Sequence, residues 1–168
     1  PPIRGSENRE ALWAGLADGT IDQVVTDHSP CIPSLKLPEV GDFENAWGGI
    51  ASLQLGLASV WSEACRRGFN VRDMSRWMSR APARLLGMSE HSGVIEVGRR
   101  ADLVAWRPDA SFEVEAAGLL QRHPLTPYLG KTLHGVVDHT WVRGHAALQH
   151  GVPAEAPCGS ILLREPHA

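Results

Sequence analysis

One short stretch of this chain places residues capable of acid–base or metal chemistry side by side: Asp27 and His28, within Thr26-Asp27-His28-Ser29-Pro30. A carboxylate can bind a hard or borderline cation through one oxygen while its other oxygen takes a proton from bound water. The adjacent imidazole can orient a substrate or donate a hydrogen bond. Successive residues of a strand point to opposite faces, however, which favours a supporting role for His28. The same stretch also has a purely structural reading, because Asp and Ser ahead of Pro form Asx turns that shape loops. Cys31 lies close by but lacks a Cys or His partner at zinc-ligand spacing, so a structural role is expected for it. His91, His123, His134, His139, His145, His150 and His167 show neither H-x-H nor H-E-x-x-H spacing and read as surface or packing residues. Gly48-Gly49 either offers backbone N–H groups to an anion at a helix start or, more often for such a pair, permits close packing.

These residues need elements to hold them. Leu12, Trp13 and Leu16 predict an amphipathic helix over residues 7–18, with Gly19 as its stop. Ile21, Val24 and Val25 then make a brief apolar strand that Pro30 cannot continue, which puts Asp27 and His28 at the strand's C-terminal end. Sites at the mouth of an α/β sheet are built in this way. Residues 31–45 read as a loop long enough to act as a flap. From residue 46 the apolar positions Ile50, Leu53, Leu57, Val60, Trp61 and Ala64 predict a helix that ends near Gly68 and packs on a sheet. Asn70 caps a second helix holding Met74, Trp77 and Met78, and Ala81-Pro82 opens a third that Gly87 closes.

Beyond Gly93 the texture changes. Residues 94–98 and 102–106 are β-rich, and residues 133–142 and 145–148 flank Arg143-Gly144 as a hairpin. The shift puts a domain boundary near residue 90, between segments 1–90 and 91–168. The six tryptophans are spread along the chain as core or interface anchors, not as a stacking platform. Arg66-Arg67 and Arg99-Arg100 are too short for basic patches and read as solvated positions.

The chain has 168 residues, 43% hydrophobic and 21% charged, the profile of one globular domain or a slice of a larger one. A net charge of −3 argues against nucleic-acid or anionic-membrane partners, and no run approaches the roughly 18 apolar residues of a membrane span. Three scattered cysteines argue against a disulfide framework and for the cytoplasm. No Met precedes Met74, so the chain is expected to be part of something longer.

Pro1-Pro2-Ile3-Arg4, Asn8-Arg9-Glu10, Leu12-Trp13, Asp27-His28-Ser29-Pro30, Gly41-Asp42-Phe43 and Ala46-Trp47-Gly48-Gly49-Ile50, in this order and spacing, resemble the C-terminal third of the allantoinases. These belong to the amidohydrolase superfamily, together with the dihydroorotases and hydantoinases. The Asp-His pair and the Pro-Pro-hydrophobic-Arg turn are shared across cyclic amidohydrolases. Ala46-Trp47-Gly48-Gly49-Ile50 with Ser52-Leu53-Gln54 is the piece that points to allantoinases. Gly93, Gly98, Ala101-Asp102-Leu103-Val104 and Trp106 resemble the returning strands of the superfamily's side domain.

The resemblance implies an α/β fold: the C-terminal portion of a (β/α)8 barrel, residues 1–90, with the C-terminal strands of a small β-sandwich side domain and tail, residues 91–168. A complete barrel takes about 250 residues, so 168 residues hold only its last part. The implied activity is hydrolysis of the cyclic amide of allantoin to allantoate in purine degradation. The implied cofactors are two divalent metals, zinc or else cobalt or manganese, in a homo-oligomeric protein. Asp27 corresponds to the aspartate after strand 8, a metal ligand and the general acid/base. Pro1, Pro2 and His28 lie near the expected substrate site.

The superfamily's other ligands are an H-x-H pair, a carboxylated lysine and two further histidines on earlier strands, and the sequence contains none of them. Lys36 and Lys131 both follow Asp27 and cannot be the earlier lysine. One carboxylate cannot hold two metals, so the chain alone is expected to be inactive. The alternatives are a hydantoinase, dihydropyrimidinase or dihydroorotase and, from another class, a non-catalytic amidohydrolase-like scaffold.

Overall fold

The first helix ends where its sequence says it must. In a computed structural model describing residues 5–163, α1 spans Ser6–Asp18, and Gly19 closes it in the left-handed region at φ 85°, its N–H donating to the carbonyl of Gly15. Leu16 of α1 is buried and Trp13 half-buried, whereas Leu12 is exposed. Helix α2 is Gly56–Arg66, preceded by a 3₁₀ turn, Leu53–Leu55. Helix α3, Val71–Ser75, starts from a capping box: the Asn70 side chain accepts from the Arg72 N–H, and Asp73 accepts from the Asn70 N–H. Helix α4, Ala81–Leu85, continues from α3 through one wide π-type turn, Arg76–Arg80, so the second and third expected helices form one run.

The β region is a meander of four antiparallel strands in the order β1 (Leu103–Glu113), β2 (Thr132–Val142), β3 (His145–Gln149) and β4 (Val152–Pro153). The β2–β3 hairpin turns on Arg143 at φ 52° and Gly144 at φ 81°, the pair of positive φ values that a tight two-residue connection requires. In β1 the register against β2 slips between Arg107 and Ser111, around Pro108, which has no N–H to give the ladder.

Two cores hold these parts together. Leu16, Trp61, Ala64, Met74 and Trp77 join α1, α2 and α3, with Trp77 only 1% exposed and edge-on to Phe69 at 4.9 Å. Leu55, Ala58, Val114 and Leu133 form the second core, between α2 and the sheet. The polar groups at this second junction are paired. The Ser62 hydroxyl donates to the Ala58 carbonyl at 2.7 Å and accepts from the His134 N–H at 2.7 Å, and the Trp61 indole donates to the Pro108 carbonyl at 2.9 Å. Trp61 also meets Trp106 edge-to-face at 5.3 Å. Helix α2 therefore packs on a sheet, as its apolar stripe requires.

Four expectations are corrected. Residues 21–25, expected as a strand, form no ladder among the described residues. The Val24 N–H goes to the Trp77 carbonyl, and the only bridge nearby is a parallel one between His28 and Ile50. Residues 94–98 form no strand and end in a turn at 97–98, with Ile95 89% and Val97 102% exposed, because β-propensity expresses fit to a pleated, half-buried surface and no described strand pairs with them. The helix expected from residue 46 begins ten residues later, at Gly56, since residues 47–53 spend their backbone groups on the Asp27 segment and the 31–45 loop. Gly48-Gly49 therefore lies at no helix start.

Arg66 is solvated, with a side chain 72% exposed, but Arg67, Arg99 and Arg100 are more than solvated positions. Arg67 has a side chain only 19% exposed; it reaches Glu10 at 2.7 Å and Glu63 at 2.6 Å and stacks over Trp13. This ties α1 to α2. Arg99 and Arg100 are likewise largely covered and paired, with Glu96 and Asp102 respectively.

Candidate active-site rim

Asp27 stands at the end of the apolar segment 21–25 with φ 44°, a left-handed backbone that few residues other than glycine adopt. Asp and Asn tolerate it best among side-chain-bearing residues, at a cost of roughly 1–2 kcal/mol. The Ser29 hydroxyl donates to the Asp27 carbonyl at 3.1 Å, closing the turn. The structural reading of the sequence is thus realised, but by Ser29 and the main chain. The Asp27 carboxylate itself is exposed and takes no hydrogen bond from any described residue. A backbone outlier that turns a free carboxylate outward at the end of a segment is an arrangement found at functional sites.

The neighbouring residues fix that segment from behind. His28 Nδ1 accepts from the N–H groups of Ser52 and Leu53, both at 3.0 Å. Backbone N–H groups can only donate, so Nδ1 carries no proton and the ring proton of the neutral imidazole is on Nε2. His28 therefore supports the segment by accepting two bonds, and its donor is left on the other ring nitrogen. The Ser52 hydroxyl donates to the Thr26 carbonyl at 2.9 Å, and the Ser29 N–H donates to the Ile50 carbonyl at 2.9 Å. A Cβ on Gly49 would collide with the Ser29 side chain and carbonyl, and one on Gly56 with the Thr26 methyl. The close-packing reading of Gly49 holds.

Residues 47–54 are anchored on their far side as well. The buried Thr126 hydroxyl donates to the Ala51 carbonyl at 2.7 Å, and the Gln54 amide pairs with the Gly118 carbonyl at 2.9 Å and the Leu120 N–H at 2.8 Å. Loop 31–45 is tied down at its base. The Trp47 N–H donates to the Leu35 carbonyl at 2.7 Å, and the Lys36 ammonium donates to the carbonyls of Trp47 and Gly49. Phe43, 93% exposed, stands at the outer end of this loop.

Thr26, Ser52, Gln54, Thr126 and Lys36 shape the site, a role that local sequence does not reveal, because each acts through a backbone group far away along the chain. Of the expected site residues, Asp27 and His28 are adjacent but serve different neighbours, and Cys31 is a half-buried free thiol. Pro1 and Pro2 lie outside the described residues. His139 meets His150 at 4.5 Å and stacks on Trp141 at 5.5 Å, a packing role. Among the described residues no three His, Cys, Asp or Glu side chains gather to hold a metal ion, so these residues by themselves do not fit a two-metal centre.

The helices and the antiparallel sheet agree with the comparisons to known proteins. Residues 4–147 match the amidohydrolase family model, and the chain belongs to that family. Its fold is that of the hydantoinase structures of the amidohydrolase barrel class. The TM-score is 0.85 to the L-hydantoinase (dihydropyrimidinase) from Arthrobacter aurescens at 28% identity, over 92% of this chain and 34% of that one. It is 0.84 to a D-hydantoinase at 25% identity, over 91% and 34%.

Among curated relatives, the chain is 51% identical to the allantoinase of Streptomyces avermitilis, over 99% of this chain and 36% of that protein. It is 43% identical to the allantoinase of Arabidopsis thaliana, over 97% and 32%. The chain thus spans about a third of the length of the curated relatives it matches. Members of the family are generally metal-dependent. No helix among the described residues is long and apolar enough to cross a membrane.

Proposed function

We propose that this chain is the C-terminal part of an allantoinase-type cyclic amidohydrolase, which opens the ring of allantoin to allantoate in purine degradation. The observation that favours allantoin is the identity of 51% to an allantoinase over 99% of the chain, against 28% to the L-hydantoinase. A hydantoinase is the second reading, supported by the TM-score of 0.85. Residues 1–90 would supply the last barrel unit, and residues 91–168 the side-domain strands and tail. The setting is a cytoplasmic homo-oligomer.

Asp27 is the catalytic residue in this reading. Its exposed carboxylate takes the proton of the attacking water and returns it to the ring nitrogen that leaves, a transfer that needs one group able to act first as base and then as acid. The αL turn holds that carboxylate clear of the main chain. His28, with Nδ1 committed to residues 52 and 53, positions Asp27 and keeps its Nε2 donor clear of those two bonds. Asp27 also offers one ligand to a divalent centre of two zinc ions, or cobalt or manganese. The remaining ligands are not in this sequence.

The test places the chain in the complete polypeptide and assays allantoin, hydantoin and dihydroorotate. Turnover of allantoin above the other two is expected, and Asp27→Asn should lower it by about 10²–10⁴-fold. The 168-residue chain alone should hydrolyse no allantoin and bind no stoichiometric zinc. Hydantoin preferred over allantoin would favour the second reading, and an active Asp27→Asn protein would remove Asp27 from the chemistry.

A further inference from the structure

On the side of the molecule where α1 ends, a cavity of about 260 Å³ is lined by Leu16, Ile21 and Asp22 together with Arg76, Trp77, Arg80 and Arg84. Three of these are arginines at four-residue intervals along the run from the wide turn into α4. Like charges at that spacing face one another and weaken a helix. Arg76 is partly held, by Asp73 at 3.3 Å and the Leu16 carbonyl at 3.4 Å, and it stacks over Trp77. Arg80 and Arg84 make no hydrogen bond or ion pair with any described residue.

The second observation is Trp77. It is 1% exposed, it lines the same cavity, and its indole Nε1–H is buried without an acceptor among the described residues. A buried donor left unpaired is costly, and native structures rarely leave one so without a reason. Three arginines and Trp77 line one concavity, and Asp22 is the one carboxylate among the lining residues. The lining carries an excess of two positives, one of them offset by Asp73 at Arg76.

We propose that this cavity is a binding site for a phosphate-type dianion carried by a small molecule. Guanidinium forks match the geometry of phosphate oxygens and bind them in bidentate fashion, which is the reason arginine, more than lysine, suits such a site. The volume is below the roughly 300–1,000 Å³ of pockets that enclose drug-sized ligands, so it fits an oxyanion head group and little else. Bound there, the dianion is met by Arg80 and Arg84, which lack partners among the described residues, and relieves their mutual repulsion. The site is separate from the Asp27 rim and does not depend on the proposed catalytic function.

The experiment uses the complete polypeptide that contains this chain, labelled with ¹⁵N at the tryptophan indoles, with the Trp77 resonance assigned through Trp77→Phe. Inorganic phosphate, glycerol 3-phosphate and malonate are titrated separately at constant ionic strength set with chloride. The expected result is a saturable shift of the Trp77 indole signal with phosphate and glycerol 3-phosphate, at a Kd of about 1 mM or tighter. Binding should weaken at least tenfold in Arg80→Gln/Arg84→Gln, and part of it should return in Arg80→Lys/Arg84→Lys.

Both double variants change exposed side chains, and circular dichroism establishes that they fold. Saturation by glycerol 3-phosphate as well as phosphate assigns the site to a phosphorylated metabolite, whereas phosphate alone assigns it to the free ion. An indole signal that phosphate leaves unmoved overturns the proposal. So does a response to malonate alone, or equal binding by the Arg→Gln double variant.

Discussion

The junction of α2 with the sheet and the rim around Asp27 are built on opposite principles. At the junction Ser62, Trp61 and the His134 N–H bond one another or nearby carbonyls, and the apolar partners Leu55, Ala58 and Leu133 are buried. At the rim the hydrogen bonds are spent on holding main chain in place, and the carboxylate they surround is left exposed and unpaired in a left-handed backbone. The first arrangement minimises the free energy of the fold. The second carries local strain at the residue we propose to be reactive. Stability and the proposed function would therefore rest on different residues, and substitutions should separate them.

The largest effect on folding is expected in the helical core. Trp77→Ala should destabilise the chain by about 3–5 kcal/mol, measured as a lowered urea midpoint. If that loss stays below about 1 kcal/mol, the distinction between a packed interior and a strained rim fails.

Gly49→Ala comes next and tests the rim. The added methyl meets the Ser29 backbone, which cannot yield as a flexible side chain would, so a cost of about 1–3 kcal/mol is expected. In the complete polypeptide its catalytic loss should exceed that of a core substitution of equal stability cost, because Ser29 moves with Asp27. A Gly49→Ala protein with unchanged kcat would show that the rim does not need this close approach.

The smallest effect concerns pH and the tie between α1 and α2. The hydrogen bond from Arg67 holds the Glu63 carboxyl below its ordinary range, and the same guanidinium does this for Glu10. A carboxylate whose folded pKa is depressed adds stability that is fully present above its unfolded value, about 4.3, and lost as pH falls through the lower folded value. Stability should thus decline below about pH 4.3, and Glu63→Gln should flatten part of that decline while costing about 0.5 kcal/mol at neutral pH, since the pair is partly screened by solvent. A pH profile of the unfolding midpoint identical in both proteins would dissociate Glu63 from the tie. The rim should be unaffected by this substitution, which keeps the two regions distinct.

How much of this was legible in the sequence varies with the reach of the signal. The end of α1 at Gly19, the Asn70 cap and the Arg143-Gly144 turn were readable because each depends on residues within one turn of the chain. The stretch from residue 46 misled, since a run of spacings suited to a helix serves equally for an extended segment whose backbone groups are claimed from elsewhere. Val94, Ile95 and Val97 misled for the opposite reason, having strand-forming side chains and no neighbouring strand. The arginines at 76, 80 and 84 drew no notice because nothing local distinguishes them from solvated helix positions.

The sequence by itself determined the family, the position of Asp27 at the end of an apolar segment, and the local stops and caps, all of which depend on residue type and short spacing. Only the tertiary structure decided which way Asp27 turns, that His28 accepts bonds instead of donating them, where α2 begins, and that three arginines share a cavity with an unpaired indole. The physical reason is distance along the chain. His28 is met from residues 24 and 25 positions away, and the Thr126 bond to Ala51 spans 75, so these choices exist only once packing has brought remote backbone groups together.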